Sequence, residues 1–524
     1  MKKQSFFAGT VILTISSIIC KILGAIYKIP LTHVLGTLGT GIYYIIFPVY
    51  AFLLTFVSNS FTMAVSRIVS SYSAKGEYRT ARKVFVVTLV LLCFLSIIFA
   101  LLLALFSRPI SSGQGLEGAY ICYIALAPAI VAVAIGSSFK GYFQGLQNMT
   151  PTAVSQVLEQ IFKLSIGFLL ASILSKRGAV YATLGAIVGV TMSEVLSTLY
   201  FVVYYIVFGI KNKKTLLSPE CPPSFWVLFR VVIKTALPFT LTSVVLPLSM
   251  LIDSFLIVNI LKSIGFDKYF STELLGFNSG IVGTLVSLPS TLSISICMTI
   301  VPYISFALSK GNIKSVSEKA SLAIKLTMIV AIPCTFVFGI FSSEVVSLLY
   351  NLSSSQLVVV STMLTVSSIN VLYLSLLQIT TSLLQAVNRA YIPVISLSIA
   401  LVIKVVLEVI LISSPYLNIL GAVMSTGFCY LLSSAINIYK VKHLVPLSHD
   451  IYRGAFAPVL SSIIMCFGIY FTLNLLKSMV SYSMSIVLSF ISGMAIFVIF
   501  IFVLQAFSHS EKDILFGFVV KKKT

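Results

Sequence analysis

The chain is 524 residues long, 58% hydrophobic and only 9% charged, with a formal net charge of +21 from 35 Lys+Arg against 14 Asp+Glu. A soluble domain holds about 25% charged residues, so this composition cannot cover a water-facing surface, and the disordered, collagenous and disulfide-rich secreted classes fail on the same numbers. A mean hydropathy of +1.07 leaves an all-α protein that crosses the membrane many times.

A span needs about 20 apolar residues. Runs bounded by polar or Gly/Pro breaks predict fourteen: 6–33, 41–66, 84–107, 118–140, 152–175, 179–209, 229–261, 275–306, 321–342, 356–384, 391–412, 418–439, 453–476 and 482–507. Lys2-Lys3 before Phe6 imitates a secretory signal, but the apolar stretch runs past Lys21 to Ile29 with no A-x-A site. That predicts an uncleaved first span. With the N-terminus inside, 25 of the 35 Lys and Arg fall in inner segments, six in outer loops and four within spans. Inner loops accumulate Lys and Arg to fix orientation, so both termini are expected in the cytoplasm and the protein in the cell membrane. The same rule accounts for the net charge, and with no basic domain outside the spans no nucleic-acid partner is expected.

The chain repeats itself. Ala74-Lys75-Gly76 recurs as Ser309-Lys310-Gly311, Leu184-Gly185-Ala186 as Leu420-Gly421-Ala422, and the Gln144–Pro151 stretch as Gln385–Pro393, at offsets of 235, 236 and 241. Lys163 plus 241 is Lys404, so each half carries one Lys at the same place. Spans 1–6 and 7–12 therefore read as two parallel copies, with spans 13 and 14 appended. Parallel repeats around a central cleft are a transporter architecture. The expected divisions are an N-lobe at 1–210, a cytoplasmic linker at 211–228, a C-lobe at 229–440, helices 13–14 at 453–507 and a basic cytoplasmic tail at 508–524.

No Walker A, G-x-S-x-G or H-E-x-x-H motif is present. The eight cysteines include no C-x-x-C pair, and none of the four histidines sits mid-span. No catalytic centre, metal or cofactor is expected, and the chemistry must come from polar groups inside the spans. A charge at the bilayer centre costs roughly 2.5–3.5 kcal/mol on insertion scales, so intramembrane charges mark function. Glu159 and Lys163 are i,i+4 on one helix face, as are Lys404 and Glu408, and each pair reads either as a structural ion pair or as a site. Lys21 and Lys28 lie within about 20° on one helix face, with no carboxylate within a turn, about 22 Å and about 33 Å along the first span. Lys21 is expected in a hydrated cavity. Lys28 either joins it or snorkels to the outer head groups. Asp253, in a seventh span bent by Pro238 and Pro247, is the matching acidic candidate from the second lobe, and Glu194 is a further buried carboxylate. Cations outnumbering anions on such a wall suit an anionic solute.

The run Phe139-Lys140-Gly141-Tyr142-Phe143-Gln144-Gly145-Leu146-Gln147-Asn148-Met149-Thr150-Pro151-Thr152-Ala153-Val154-Ser155-Gln156, with Cys20-Lys21-Ile22-Leu23-Gly24 and Val301-Pro302-Tyr303-Ile304-Ser305, resembles the stage V sporulation protein B group. That group belongs to the multidrug/oligosaccharidyl-lipid/polysaccharide exporter superfamily, alongside the lipid II flippases. Gln144, Gly145, Asn148 and Pro151 carry the signature. The resemblance implies two six-helix lobes forming a V-shaped central cavity, plus two terminal helices. It implies flipping of undecaprenyl-pyrophosphate-linked sugars, peptidoglycan lipid II foremost, with a link to the spore cortex. Cell-wall synthesis proteins are the implied protein partners. Lys21 falls where lipid II flippases carry a first-span arginine, and it meets phosphate as a point charge without the bidentate fork. The expected substrate-binding residues are thus Lys21, Lys28, Lys163, Asp253 and Lys404, with Glu159, Glu194 and Glu408 as coupling or ion-pair residues. Two other readings compete with the flippase: a cation-coupled multidrug exporter of the same fold, and a membrane scaffold in sporulation that transports nothing.

Overall fold

The computed structural model describes residues 6–211, 221–293, 304, 312–387, 389–445 and 450–506. Its elements are helices throughout. The first, α1 (Phe6–Thr55), contains the first predicted span and much of the second, bent at Gly36, where φ is 67° and ψ −180°. No atom lies within 4 Å of a Cβ built there, so the glycine is needed for its backbone conformation and not for space. The second span ends as α2 (Asn59–Ala74), and Gly76, at φ 81°, leads into α3 (Tyr78–Leu105).

A short α4 (Ser107–Gly113) precedes α5 (Tyr120–Gly145). The signature run forms the end of α5, the turn after it, and the start of α6 (Thr150–Phe162). Cβ atoms on Gly141 and Gly145 would sit 2.9 and 2.8 Å from the carbonyl oxygens of Thr62 and Ser66, so α2 and α5 touch backbone to backbone. In the turn, the Asn148 backbone N–H donates to the Phe143 carbonyl (2.9 Å) and its side-chain amide to the Tyr204 hydroxyl (3.0 Å). Pro151 lies in the first turn of α6, where a missing N–H costs nothing. Gly145, Asn148 and Pro151 are thus parts of a helix-to-helix corner.

The fifth span is α6, a π-helical turn at Lys163–Gly167, and α7 (Phe168–Leu174). It packs on α8 (Ala179–Lys211) so closely that a Cβ on Gly189 would lie 2.1 Å from Gly167 Cα. The seventh span is two helices, α9 (Phe225–Ser243) and α10 (Val245–Ser263), broken at Val244 between the two expected prolines. Then α11 (Lys268–Leu275), capped by the Asp267 carboxylate accepting from the Tyr269 N–H (2.8 Å), passes through a second π-turn, Gly276–Val282, into a helix over 283–293. The rest comprises α12 (Ile313–Ile340), α13 (Ser342–Leu349), α14 (Ser354–Ala386), α15 (Tyr391–Ile412), α16 (Ile419–Leu444), α17 (Asp450–Leu476) and α18 (Tyr482–Val503).

Among the described residues, 12 segments are long and apolar enough to cross a membrane. The two predicted spans missing from that set are accounted for: Tyr27–Ala74 runs as one stretch through the first two, and the eighth continues into 294–303, outside the described residues. The chain is an all-α, multi-pass membrane protein.

By packing, the chain forms two compact units, Met1–Gly280 and Ile281–Thr524. The packing boundary therefore falls well beyond the 211–228 linker at which the sequence repeat turns over. The cause lies in the first unit. Gln114, fully buried, donates to the Ile45 carbonyl (3.2 Å) and the Ser254 hydroxyl (2.9 Å) and accepts from the Tyr123 hydroxyl. One side chain thus ties α10 to α1 and α5. The α11 segment is held as tightly, because a Cβ on Gly41 would sit 2.2 Å from the Thr272 carbonyl oxygen, and Thr37 donates to Glu273 at 2.6 Å.

One pair of matching contacts, one in each unit, follows the sequence repeat. A Cβ on Gly185 would lie 2.6 Å from the Leu170 carbonyl carbon, and one on Gly421 would lie 2.5 Å from that of Leu411. Leu170 and Leu411 are separated by the same 241 residues as Lys163 and Lys404.

Candidate transport site

The first unit gathers charge where α1, α6 and α8 meet. Lys163 Nζ lies 3.2 Å from Glu159 Oε1, and the two side chains are 16% and 14% exposed. The Gln160 amide donates to the same oxygen at 3.3 Å. Glu194 of α8 interacts electrostatically with Glu159, Lys163 and Lys140, and Cys20 of α1 with the same three residues. The Tyr50 ring is buried beside them, in electrostatic reach of Glu194 and Glu159, and its hydroxyl has no hydrogen-bond partner among the described residues. Two carboxylates and two ammoniums in one half-buried group can hold an anion at the lysines or exchange a cation at the carboxylates.

The stripe of α1 that meets the fifth span is set by spacing. Ser16 donates to Gln156 Oε1 (3.3 Å), a Cβ on Gly24 would be 3.7 Å from Gln160 Oε1, and one on Gly167 would be 2.7 Å from the Tyr27 hydroxyl. At about 100° per residue, Lys28 is turned away from that stripe. Its ammonium lies instead 5.7 Å from the centroid of the Tyr44 ring, on the far side of the Gly36 bend. Lys28 is half-buried and lies against another part of the same helix. The side chain of Lys21 lies outside the described residues.

The remaining candidates are dispersed. Asp253 is half-buried on α10, and α10 packs in the first unit, not the second. Gln114 explains the difference, since its amide binds the neighbouring Ser254. Lys404 and Glu408 sit one turn apart on α15 in the second unit, 2% and 0% exposed. Sequence-equivalent lysines thus occupy unlike surroundings: Lys163 is accessible, and Lys404 is sealed in protein.

The Lys and Arg count took Lys325 with the inner 310–325 group, although the predicted span 321–342 contains it. In the structure α12 begins at Ile313, so Lys325 lies about 18 Å along the helix. It is 2% exposed, and a Cβ on Gly454 would be 2.6 Å from its Cε. The signal that could have exposed it was the apolar run Ala320–Leu326, which starts before Lys325. Tyr44 and Tyr50 were also missed, because aromatic residues inside an apolar run look like any other core.

Comparison with known proteins is consistent over the whole chain. Residues 6–308 match the family described as polysaccharide biosynthesis protein. The chain is 28% identical over 466 residues to the stage V sporulation protein B of Bacillus subtilis (strain 168), covering 88% of each protein. It is 28% identical over 479 residues to the lipid II flippase MurJ of the same organism, covering 87% of this chain and 86% of that one. Among solved structures, the lipid II flippase MurJ in an inward closed conformation aligns with a TM-score of 0.69 at 14% identity, over 97% of this chain and 100% of that one. An inward-facing multidrug resistance MATE family transporter of the MOP superfamily aligns with a TM-score of 0.66 at 13% identity, over 81% and 94%. With a helical membrane fold, buried charge on its spans and a match over more than half its length, the chain belongs to the polysaccharide biosynthesis protein family.

Proposed function

We propose that this protein is a flippase for undecaprenyl-pyrophosphate-linked saccharides, with lipid II-type peptidoglycan precursor as the substrate and the spore cortex as one destination. One observation carries the reading: the two relatives to which it is 28% identical over nearly nine-tenths of its length are a lipid II flippase and a stage V sporulation protein. The site chemistry supports it. A pyrophosphate needs cations reached from within the membrane, and Lys28 and Lys163 provide them without being sealed in protein. Transport then proceeds by alternating access, with the head group crossing through protein while the polyprenyl tail stays in lipid. No bond is made or broken, so the protein is a transporter and not an enzyme.

A second reading is favoured by a different observation. Glu159 and Glu194 share one site, and a carboxylate pair is what a cation-coupled exporter of this fold would use to exchange cations. Purified protein in liposomes separates the two. The flippase reading expects fluorescent lipid II to become accessible on the far leaflet, with no uptake of a cationic dye. Dye transport without lipid II movement would establish the exporter instead.

A further inference from the structure

Lys28 is held by a particular arrangement. Lys28 lies eight positions before Gly36 and Tyr44 eight positions after it, so the bend at Gly36 brings two equal helical arms, each about 12 Å, toward one another. The lysine lies over the ring at 5.7 Å, inside the roughly 6 Å range in which an aromatic face attracts a cation. The ring itself is fixed from two sides. Tyr43 meets it edge-on at 5.5 Å and 74°. Opposite lies Gly280 of the second π-turn, where a Cβ would fall 2.8 Å from Tyr44 Cε2 and 2.9 Å from Cδ2. No real Cβ tolerates such distances, so the ring stands where it does because position 280 has no side chain. The π-turn puts that glycine there. A lysine carries its point charge on a flexible four-carbon stem, and a ring beneath the ammonium restricts where that charge sits.

We propose that Tyr44 is a positioning residue for anion recognition: its ring holds the Lys28 ammonium where the pyrophosphate of the lipid-linked substrate binds, and Gly280 stays free of a side chain to seat that ring. The inference rests on the flippase reading and adds the residues that set affinity for the head group.

The test uses the full-length protein and two readouts: KM for fluorescent lipid II in proteoliposomes, and affinity for undecaprenyl pyrophosphate by native mass spectrometry. Tyr44→Phe keeps the aromatic face and should stay within about twofold of wild type. Tyr44→Leu should raise KM and Kd by about 2- to 30-fold, the range a cation–π contact spans. Lys28→Ala should do at least as much, and the Tyr44→Leu/Lys28→Ala double variant should be no worse than Lys28→Ala alone, because the ring acts only through the lysine. Gly280→Ala, with both residues intact, should displace the ring and resemble Tyr44→Leu. If Tyr44→Leu fails to fold, Tyr44→Phe and Gly280→Ala still decide the matter. Additive losses, a Tyr44→Phe variant as impaired as Tyr44→Leu, or a fall in kcat at unchanged KM would overturn the proposal. A wild-type protein that flips lipid II while the series stays flat refutes the positioning role and leaves the flippase. A protein that binds undecaprenyl pyrophosphate in the expected order but moves no lipid II refutes the flippase and leaves the positioning role. Neither binding nor flipping by wild type would refute both.

Discussion

Two lysines at the same place in the repeat answer to different physics. Lys404 and Glu408, one turn apart on α15, are all but inaccessible, so removing one charge leaves the other desolvated, at a cost of several kcal/mol. Glu408→Gln should therefore lower the melting temperature in detergent clearly more than Glu159→Gln, whose partner Lys163 keeps 16% of its side chain exposed. Replacing both residues, as Lys404→Met/Glu408→Leu, should recover most of the loss, because apolar side chains of similar volume often match a buried pair. Equal destabilisation by Glu159→Gln and Glu408→Gln would show that burial does not distinguish the pairs. Lys21 has a different expectation, resting on sequence position alone. Lys21→Ala should express normally and lose lipid II flipping, while Lys21→Arg keeps part of it, since the guanidinium also bridges phosphate oxygens. A fully active Lys21→Ala protein would remove Lys21 from the site.

Between elements, the decisive residues are the ones without side chains. The fifth and sixth spans meet at Gly167 and Gly189, and α2 meets α5 at Gly141 and Gly145. Close backbone approach of this kind is how membrane helices associate where lipid offers no hydrophobic drive. Gly189→Ala should therefore push α8 off the π-turn and cost about 1–3 kcal/mol, the usual penalty for overpacking. Gly209→Ala, on the same helix with nothing within 4 Å of its Cβ, should be neutral or stabilising by about 0.5–1 kcal/mol. Thermal unfolding of the two variants in one detergent makes the comparison, and equal melting temperatures would contradict the packing. These contacts also mark where the sequence could be read and where it could not. The i,i+4 spacing of Glu159 and Lys163 is local, and their ion pair was legible from it. The π-turn at Lys163–Gly167 was not, because it answers to Gly189, more than twenty residues further on.

At the scale of the whole molecule, apolar runs were enough to lay out the spans, since lipid forces every backbone group into helix. In a cysteine-free background, labelling from outside should reach a Cys at Ser112, Asn351 or Ser414 and miss one at Lys75 or Lys442. The reverse pattern at any of them would mean a miscounted span. The packing boundary was beyond sequence reasoning, because it depends on Gln114 finding Ile45, Tyr123 and Ser254 from four separate stretches of chain. That knot bears on how the protein is made. When six spans have left the ribosome, Gln114 still lacks the Ser254 partner that α10 brings, and the glycine face at Gly41 is uncovered. The nascent N-terminal half is therefore an unfinished body, and it must be held by the insertion machinery or by chaperones until residues up to Gly280 have entered the membrane. A chain ending at residue 210 should be cleared by membrane proteases, and one ending at residue 293 should accumulate, so that biogenesis follows the packing unit and not the sequence repeat.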